Sequence, residues 1–422
     1  MHRFETKALH WGYAPDSSGG RAMPVHRTAA YLFKNTDHAA DLFALRQPGH
    51  IYTRLGNPTQ EVLETRLAAL EGGKAALALA SGTAAIHYTV INICRQGDEL
   101  VSSSTIYGGT HTMFASILSE AGITTRFVDI HDPEAVRAAI NKRTRLIYTE
   151  VIGNPALDVA NIETLAALAR EYHLPLVVDA TFATPYLFRP MEYGADIVIH
   201  SLTKWIGGHG TAIGGAVVDA GSFDWADPKF ALYNEPDASY HGLRYAHDLG
   251  ELNPLAFILR MRLVPLRNLG ACISPDNCWI FLQGLETLAL RMERHSENAL
   301  QVAEFLAGHP RVAWVRYPGL PGDPSHTLAR TMFMRGFGGM VVFGVKGGLA
   351  SGRRFINSLR LVSHLANVGD AKTLAIHPAS TTHSQLSEKE QVQAGITPDL
   401  VRLSVGIEHI DDILADLDQA LE

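Results

Sequence analysis

The sequence predicts an α/β fold in which a mostly parallel sheet is covered by helices on both faces. Short apolar runs rich in Val, Ile and Leu alternate with amphipathic segments over residues 57–262, which is the pattern of strands connected by helices. Two of these runs, 174–178 and 196–200, are followed by polar side chains, as expected at the carboxyl edge of such a sheet. The chain has 422 residues, of which 46% are hydrophobic, and this is enough for a large core and more than one domain.

The chain begins with a segment that differs from the rest. Residues 1–56 are polar, rich in turns and weakly periodic, so we expect an arm that reaches a neighbouring subunit rather than a domain. Apolar residues at helical spacing predict the first long helix at 60–71, which Gly72 and Gly73 end. A short apolar run at 75–80 is the first predicted strand, and a buried helix continues to residue 94.

The same alternation predicts the remaining elements. We expect strands at 99–102, 125–128, 146–150, 174–178, 196–200 and 214–218, and a helix at 162–172. Residues 221–255 are predicted to be a long irregular segment, a feature that is often functional. An α+β C-terminal domain is predicted over 263–422, with a long helix at 277–307, strands at 312–316 and 339–344, a helix at 350–360 and a last helix from 409.

Composition argues against several classes of protein. The chain carries 36 Lys and Arg against 43 Asp and Glu, so it has no basic surface that would favour nucleic acid. Three cysteines form no disulfide framework, and the 20 histidines form no motif typical of metal ligands, so no metal site is expected. The sequence contains neither a signal peptide nor a stretch of about 18 apolar residues, so we expect a cytoplasmic protein without membrane spans.

A lysine and an aspartate follow the two strands that end in polar residues. Lys204 lies in the run 201–208 after strand 196–200, and Asp179 follows strand 174–178. An Asp at a strand end is often only a helix cap, and a Lys there is usually solvated. Together, however, they favour a site for pyridoxal phosphate, because a Lys amine binds this cofactor as a Schiff base and an Asp keeps the pyridine nitrogen protonated. The hydroxyls of Ser201 and Thr203 flank the lysine and suit the phosphate.

Two further positions suit anions. Ser81, Gly82 and Thr83 follow a strand and open a helix, where free N–H groups and the helix dipole attract phosphate. Small residues are also common at ordinary turns of this kind. Arg402 lies within an apolar run typical of a strand, and such burial is costly unless the charge is paired. Either a substrate carboxylate or a structural ion pair would offset that cost.

Two aromatic positions have both a structural and a functional interpretation. Tyr107 precedes Gly108 and Gly109, where its ring could stack on a flat cofactor or simply pack before a turn. Tyr52 and Arg54 lie in the arm, and the guanidinium of Arg54 could bind phosphate or be an ordinary surface group.

Taken together, these motifs resemble the pyridoxal-phosphate enzymes of cysteine and methionine metabolism over nearly the whole chain. The shared runs are 52–54, 57–59, 80–85, 107–110, 150–155, 178–179, 181–185, 195–208, 284–288 and 402–408. Within this family the chain is most similar to the O-acetylhomoserine sulfhydrylases. That similarity rests on 202–215, on the insertion 221–255 and on 367–374, where γ-synthases and γ-lyases usually have a different sequence. One departure is Ala180, because the family often has Asn after the aspartate that binds the ring.

The resemblance implies a fold-type-I transferase and a role for each matching residue. Lys204 would bind the cofactor and shuttle protons, Asp179 would pair with the ring nitrogen, and Tyr107 would stack on the ring and assist proton transfer. The other implied cofactor contacts are Asn154 near the ring hydroxyl, Thr181, the phosphate ligands Gly82, Thr83, Ser201 and Thr203, and Tyr52 and Arg54 from the neighbouring subunit. Arg402, helped by Asn367, would bind the substrate carboxylate.

The implied reaction is γ-replacement, in which sulfide replaces the acetoxy group of O-acetyl-L-homoserine to give L-homocysteine and acetate in methionine biosynthesis. The alternatives are O-succinylhomoserine sulfhydrylase, cystathionine γ-synthase and a methionine γ-lyase-like enzyme, and the run 367–374 argues against the last two. The acyl group and the cellular sulfur donor remain open. A binding module that has lost the cofactor is disfavoured by the intact pair of Lys204 and Asp179. The contact between subunits implies at least a dimer, and the family is usually a dimer of dimers.

Overall fold

The computed structural model of the protein describes residues 2–381 and 395–422, which contain two β-sheets. The strands of the larger sheet are β1 (Ala75–Leu79), β2 (Glu99–Ser103), β3 (Thr124–Val128), β4 (Thr144–Glu150), β5 (Leu176–Asp179), β6 (Ile197–Ser201) and β7 (Gly215–Asp219). Their order is β1-β7-β6-β5-β4-β2-β3. The neighbouring strands in the stretch β6-β5-β4-β2-β3 pair in parallel. Strand β7 is antiparallel to both of its neighbours, β6 and β1. The predicted mostly parallel sheet is therefore confirmed.

Seventeen α-helices are present in the described ranges. They are α1 (Phe4–His10), α2 (Thr36–Phe43), α3 (Pro58–Glu71), α4 (Gly82–Ile93), α5 (Gly108–Thr112), α6 (Leu118–Glu120), α7 (Pro133–Ala139), α8 (Ile162–Glu171), α9 (Thr184–Leu187), α10 (Ala231–Asn234), α11 (Ala256–Met261), α12 (Arg267–Leu269), α13 (Pro275–Glu286), α14 (Leu288–Gly308), α15 (His326–Met332), α16 (Gly348–Ser358) and α17 (Ile410–Leu421). A π-helical turn connects α5 to α6, and another connects α11 to α12.

The larger sheet is buried on both faces because its strands carry apolar residues at successive positions. Val178 and Val198 pack with α3 and α8 on one face, whereas Val177 and Ile199 pack with α4 and α11 on the other. Such double burial is typical of parallel sheets. It leaves the strand ends as the places where polar side chains can gather.

The smaller sheet lies in the C-terminal part of the chain. Its strands are β8 (Val312–Arg316), β9 (Met340–Val345), β10 (Ser363–His364), β11 (Leu374–Ile376) and β12 (Leu400–Ser404), in the order β10-β11-β12-β9-β8. Helices α14, α16 and α17 bury a separate apolar cluster against it. The predicted α+β character of this part of the chain is confirmed.

Two details of the prediction were wrong or incomplete. The single helix predicted at 277–307 is two helices, because Thr287 leaves the helical conformation and separates α13 from α14. The first 56 residues were predicted to be a turn-rich arm, and no helix was specified there, yet they contain α1 and α2. Helix α1 buries Phe4 and Ala8 against the chain's own core, and this spacing of four residues is a helical signal.

Candidate active site

Three neighbouring strands end side by side at the carboxyl edge of the larger sheet. The last residues of β4 and β5, Glu150 and Asp179, are in register, and Asp179 pairs in turn with Ile199 of β6. The strand β6 then ends at Ser201 and leads into the turn that carries Lys204. The predicted meeting of lysine and aspartate at one sheet edge follows from this topology.

The Lys204 turn is held by its own backbone and by a distant loop. The Lys204 amide donates to the carbonyl of Ser201 at 3.2 Å, and the Gly208 amide donates to the Lys204 carbonyl at 2.8 Å. The Nζ atom donates to Oδ1 of Asn367 at 2.7 Å. Burial, assisted by the positive charge of Arg402, lowers the pKa of Lys204 to about 8. Its amine is therefore easier to deprotonate than an ordinary lysine.

Arg291 of α14 stabilises this turn through hydrogen bonds to backbone carbonyls. This role was not predicted from the sequence. The Arg291 guanidinium is buried and donates to the carbonyls of Trp205 at 2.6 Å, Ile206 at 3.1 Å and Gly284 at 2.6 Å. The available signal was an arginine on the apolar face of an amphipathic helix, since charged residues are seldom buried without partners.

Asp179 is a largely buried carboxyl group whose pKa is raised because burial disfavours its charge. Oδ1 accepts the N–H of Thr181 at 2.9 Å, and the Thr181 hydroxyl in turn accepts the N–H of Ser201 at 2.8 Å. Thr181 thereby ties the end of β5 to the end of β6. No ion pair involves Asp179 within the described ranges. A protonated ring nitrogen is the kind of cation that would stabilise it.

The start of α4 forms a narrow cradle against Ser201. The Ser81 side chain caps the helix by accepting the amide of Ala84 at 3.0 Å. In the described structure the amides of Gly82 and Thr83 have no hydrogen-bond acceptor, as is usual in a first helical turn. A Cβ atom on Gly82 would lie 2.7 Å from Cβ of Ser201, so only glycine permits this approach. The free amides fit a phosphate group.

The predicted phosphate residues differ in how free their hydroxyls are. Ser201 and Thr83 lie beside or within the first turn of α4. The hydroxyl of Thr203, in contrast, accepts the amide of Gly214 at 3.0 Å and donates to its carbonyl at 3.2 Å. The hydroxyl of Thr203 is therefore already hydrogen-bonded to the backbone of Gly214, the residue before β7.

Arg402 enters the same site from β12 of the smaller sheet. Its Nη1 donates to Oδ1 of Asn154 at 3.0 Å, and no ion pair involving it is present in the described ranges. Burial lowers the pKa of Arg402 to about 10, and the nearby phenol of Tyr107 opposes this change. The structural ion pair left open by the sequence is therefore not formed with any described residue. Arg402 stays cationic at neutral pH and suits a carboxylate.

Tyr107 is the N-cap residue directly before α5 and is half exposed. Its amide donates to Oε1 of Glu150 at 2.7 Å. A Cβ on Gly109 would lie 2.6 Å from the Tyr107 ring, so this glycine lets the ring fold back over the turn. Glu150 lies within the shared run 150–155, but the resemblance implied no role for it.

Tyr52 and Arg54 lie apart from this cluster. Tyr52 forms a β-bridge with Ala30, and the guanidinium carbon of Arg54 lies 5.1 Å from the centre of the Tyr52 ring. The Arg54 Nε atom is buried and has no hydrogen-bond partner among residues 2–381 and 395–422. In the described structure no hydrogen bond or ion pair joins either side chain to Lys204 or its neighbours.

Residues 2–381 and 395–422 contain neither a membrane-spanning helix nor a cluster of metal ligands. No helix in these ranges is both long and apolar enough to cross a membrane. No group of three or more His, Cys, Asp or Glu side chains there is arranged to hold a metal ion.

Comparison with known proteins gives one consistent group of relatives. The chain is 54% identical to an O-acetyl-L-homoserine sulfhydrylase of Leptospira meyeri, over 99% of this chain and 96% of the relative. It is 51% identical to O-acetyl-L-homoserine sulfhydrylase 1 of Thermus thermophilus, over 99% and 100%, and 49% identical to a homocysteine synthase of Schizosaccharomyces pombe, over 99% and 98%.

A solved structure has the same fold. It is a candidate O-acetylhomoserine (thiol)-lyase of Campylobacter jejuni that carries a pyridoxyl-lysine phosphate, with a TM-score of 0.96, 42% identity and full coverage of both chains. A family model described as Cys/Met metabolism PLP-dependent enzyme matches residues 5–422. The lysine, the buried carboxyl group and the amide cradle lie within that match, and the chain belongs to the pyridoxal-phosphate-dependent enzymes of cysteine and methionine metabolism.

Proposed function

We propose that the protein catalyses γ-replacement on O-acetyl-L-homoserine, with sulfide as the incoming group and L-homocysteine and acetate as products. The observation that carries the proposal is the meeting of Lys204, Asp179 and Arg402 at one sheet edge, since a base, a partner for a ring nitrogen and a carboxylate site are all required. Relatives named as O-acetyl-L-homoserine sulfhydrylases and homocysteine synthases support this choice of substrate. The product would enter methionine biosynthesis.

We assign the cofactor contacts as follows. Lys204 binds the aldehyde carbon of pyridoxal phosphate, and the Asp179 carboxylate accepts the hydrogen of the ring nitrogen. The phosphate is held by the first turn of α4 and the Lys204 turn. The residues assigned to these and the remaining contacts are Gly82, Thr83, Ser201, Thr203, Thr181, Asn154 and Tyr107. When bound, the cofactor supplies an electron sink that stabilises negative charge on the substrate.

Lys204 is the proton carrier. A pKa of about 8 keeps a useful fraction of its amine neutral close to physiological pH. Once the substrate amine has taken the place of Lys204 on the cofactor, the freed Lys204 amine would remove the proton from Cα and then assist proton transfer at Cβ, so that acetate leaves Cγ with the electron pair of the C–O bond. Hydrosulfide then forms the new C–S bond at Cγ, and protons return to Cβ and Cα. Tyr107, beside Arg402, assists these transfers.

Arg402 binds the substrate carboxylate. Its guanidinium is already oriented by Asn154, so little side-chain entropy is lost when the substrate arrives. Asn367 contacts Nζ of Lys204 and lies on the loop before β11, where it can donate its amide hydrogens to the same carboxylate. Two fixed contacts to the carboxylate orient the Cα–H bond towards Lys204.

The active unit we propose is at least a dimer, and the whole enzyme a dimer of dimers in the cytoplasm. Tyr52 and Arg54 support a shared site, because they lie apart from the chain's own cluster and the Arg54 Nε lacks a partner in the described part of the chain. In a dimer they would contact the phosphate of the neighbouring subunit.

Product analysis of the purified holoenzyme tests the reaction. With O-acetyl-L-homoserine and sulfide, the wild type should form homocysteine and acetate in equal amounts. Lys204→Ala should form neither while keeping its circular dichroism and melting temperature, and the exposed Lys346→Ala serves as a control that stays active. Substantial turnover by Lys204→Ala would refute the assignment. Parallel reactions with O-succinyl-L-homoserine measure the acyl preference.

A further inference from the structure

Two carboxyl groups lie side by side at the active edge of the sheet. Glu150 and Asp179 are in register on adjacent parallel strands, about 4.8 Å apart along the hydrogen-bonding direction. Residues in register on parallel strands point to the same face, here the face that Tyr148 and Val177 bury. Glu150 is only 8% exposed and takes no part in the reaction steps proposed above.

Glu150 anchors the turn from which Tyr107 projects. Its Oε1 atom accepts the Tyr107 amide at 2.7 Å, and Tyr107 has no side-chain capping bond of its own. The next two residues, Gly108 and Gly109, add conformational freedom rather than rigidity. The bond to Glu150 therefore fixes the backbone from which the ring projects, together with the bond that the Tyr107 carbonyl accepts from the His111 amide at 2.9 Å.

The pair favours one proton shared between two carboxyl groups. Burial, and next the charge of Asp179, raise the pKa of Glu150 well above its usual value. The other groups facing the pair are the buried phenol of Tyr148, the carboxylate of Asp158 and, on the Asp179 side, His200. Among them, His200 and the Tyr148 phenol favour a negative charge, and both act on Asp179. Two adjacent buried anions would repel each other strongly.

Hydrogen bonding decides which group keeps the proton. Asp179 accepts bonds from both the amide and the side chain of Thr181, which favour its charged form. Glu150 accepts the single amide of Tyr107. A protonated carboxyl group still accepts an amide hydrogen through its carbonyl oxygen, so the anchor needs no charge on Glu150.

We propose that Glu150 is a positioning residue that remains protonated and holds Tyr107 over the cofactor ring, while Asp179 alone carries the negative charge of the pair. This role rests on the cofactor placement proposed above. A neutral Glu150 leaves Asp179 as the single anion for the ring nitrogen, and a fixed Tyr107 keeps the ring and the substrate aligned.

Holoenzyme variants test the inference. Glu150→Gln keeps a neutral acceptor, whereas Glu150→Ala removes it. The visible circular dichroism of the bound cofactor reports the ring environment without any turnover. We expect Glu150→Gln to keep the signal and its pH dependence, with kcat within about threefold of wild type. We expect Glu150→Ala to lose the signal and to reduce kcat about 10- to 100-fold, as misplacement of a catalytic group does. Asp416→Ala, which removes a buried carboxyl acceptor of three amides far from the site, is the control for lost stability alone.

A double-mutant cycle shows whether Glu150 acts through Tyr107. Tyr107→Ala combined with Glu150→Ala should be no worse than Tyr107→Ala alone in both the cofactor signal and kcat. Additive losses would overturn the inference, as would a Glu150→Gln variant that is impaired like Glu150→Ala or that shifts the pH dependence of the signal. If Glu150→Ala does not fold, Glu150→Gln alone decides. The cofactor signal remains measurable even if the substrate is not O-acetyl-L-homoserine, so the two proposals can fail separately.

Discussion

At the scale of single residues, burial determines the chemistry that each side chain can perform. It lowers the pKa of Lys204 towards neutrality, raises that of Asp179 and leaves Arg402 charged. The sequence could place all three at strand ends or within a strand, because apolar runs surround them. It could not predict the shifts, because these depend on how segments far apart in sequence exclude water from one pocket.

Replacing Arg402 should chiefly weaken substrate binding. A hydrogen bond to a charged group contributes about 1.5–3 kcal/mol, so Arg402→Ala should raise KM for the amino-acid substrate about 10- to 100-fold with a smaller effect on kcat. Steady-state kinetics measure this. The exposed Arg330→Ala on α15 should leave KM unchanged. An unchanged KM in Arg402→Ala would place the carboxylate site elsewhere.

Asp219, at the end of β7, gives a prediction for stability against pH. Burial raises the pKa of this carboxyl to about 7, while it ionises near 3.9 in an unfolded chain. Between these values the unfolded state binds fewer protons, so the group lowers stability progressively as pH rises through this window and by a constant amount above it. Asp219→Asn removes this penalty but keeps an acceptor for the Gly221 amide.

The melting temperature of Asp219→Asn relative to wild type should therefore rise from pH 5 to pH 8. Thermal unfolding followed by circular dichroism at the two pH values measures the difference. A difference that does not change with pH would show that Asp219 is ionised in the folded protein throughout this range.

At the scale of secondary-structure elements, the strands around the site were predictable and several helices were not. Strands β4 to β7 begin and end within two residues of the predicted positions, since each is an apolar run bounded by polar residues. The break at Thr287 had no Gly or Pro signal, and the apolar periodicity continues across it. Helices α7 and α15 were missed because each has only seven residues, too few for a clear period.

The contacts that support the site were also beyond prediction. Glu150 and the Tyr107 amide are separated by 43 residues, and Arg291 and the Trp205 carbonyl by 86. Motifs locate residues that contact a ligand, but a bond between two such segments depends on the packing of whole elements. The sequence therefore identified Glu150 only as a member of the shared run 150–155, without indicating its contact with Tyr107.

The start of α4 provides a prediction at this scale. Gly82→Ala would place a methyl group 2.7 Å from Cβ and 3.0 Å from Cα of Ser201, so the helix and β6 must separate. We expect the Kd for pyridoxal phosphate to rise about tenfold or more, which corresponds to about 1.4 kcal/mol. Fluorescence titration of the cofactor-free enzyme measures it.

Gly308 supplies the matched control for this substitution. A Cβ there meets nothing within 4 Å, so Gly308→Ala should bind the cofactor like wild type. Equal affinities for Gly82→Ala and Gly308→Ala would mean that the phosphate does not lie in the α4 cradle.

At the scale of the whole molecule, the site joins the two sheets. Asn367 reaches Lys204 across 163 residues of sequence, and Arg402 reaches Asn154 across 248. In the proposed assignment, the larger sheet supplies the cofactor contacts and the C-terminal part supplies the contacts for the substrate carboxylate. The division into an arm at 1–56 and domains at 57–262 and 263–422 stays a prediction, as does the tetramer.

Subunit complementation tests whether the site is shared between chains. Lys204→Ala and Arg54→Ala subunits should each be impaired alone. In a mixed dimer one of the two sites combines an intact Lys204 with an intact Arg54 from the other subunit. Random pairing of equal amounts should therefore restore about a quarter of wild-type activity. No recovery after confirmed subunit exchange would show that each chain forms its site alone.

The central claim is that this enzyme replaces the γ-substituent rather than eliminating it. The most direct measurement is product formation by the wild-type holoenzyme from O-acetyl-L-homoserine, with and without sulfide. Homocysteine and acetate that appear together, and only when sulfide is present, are the predicted result. Rapid formation of 2-oxobutanoate without sulfide would contradict the claim and would indicate a γ-lyase.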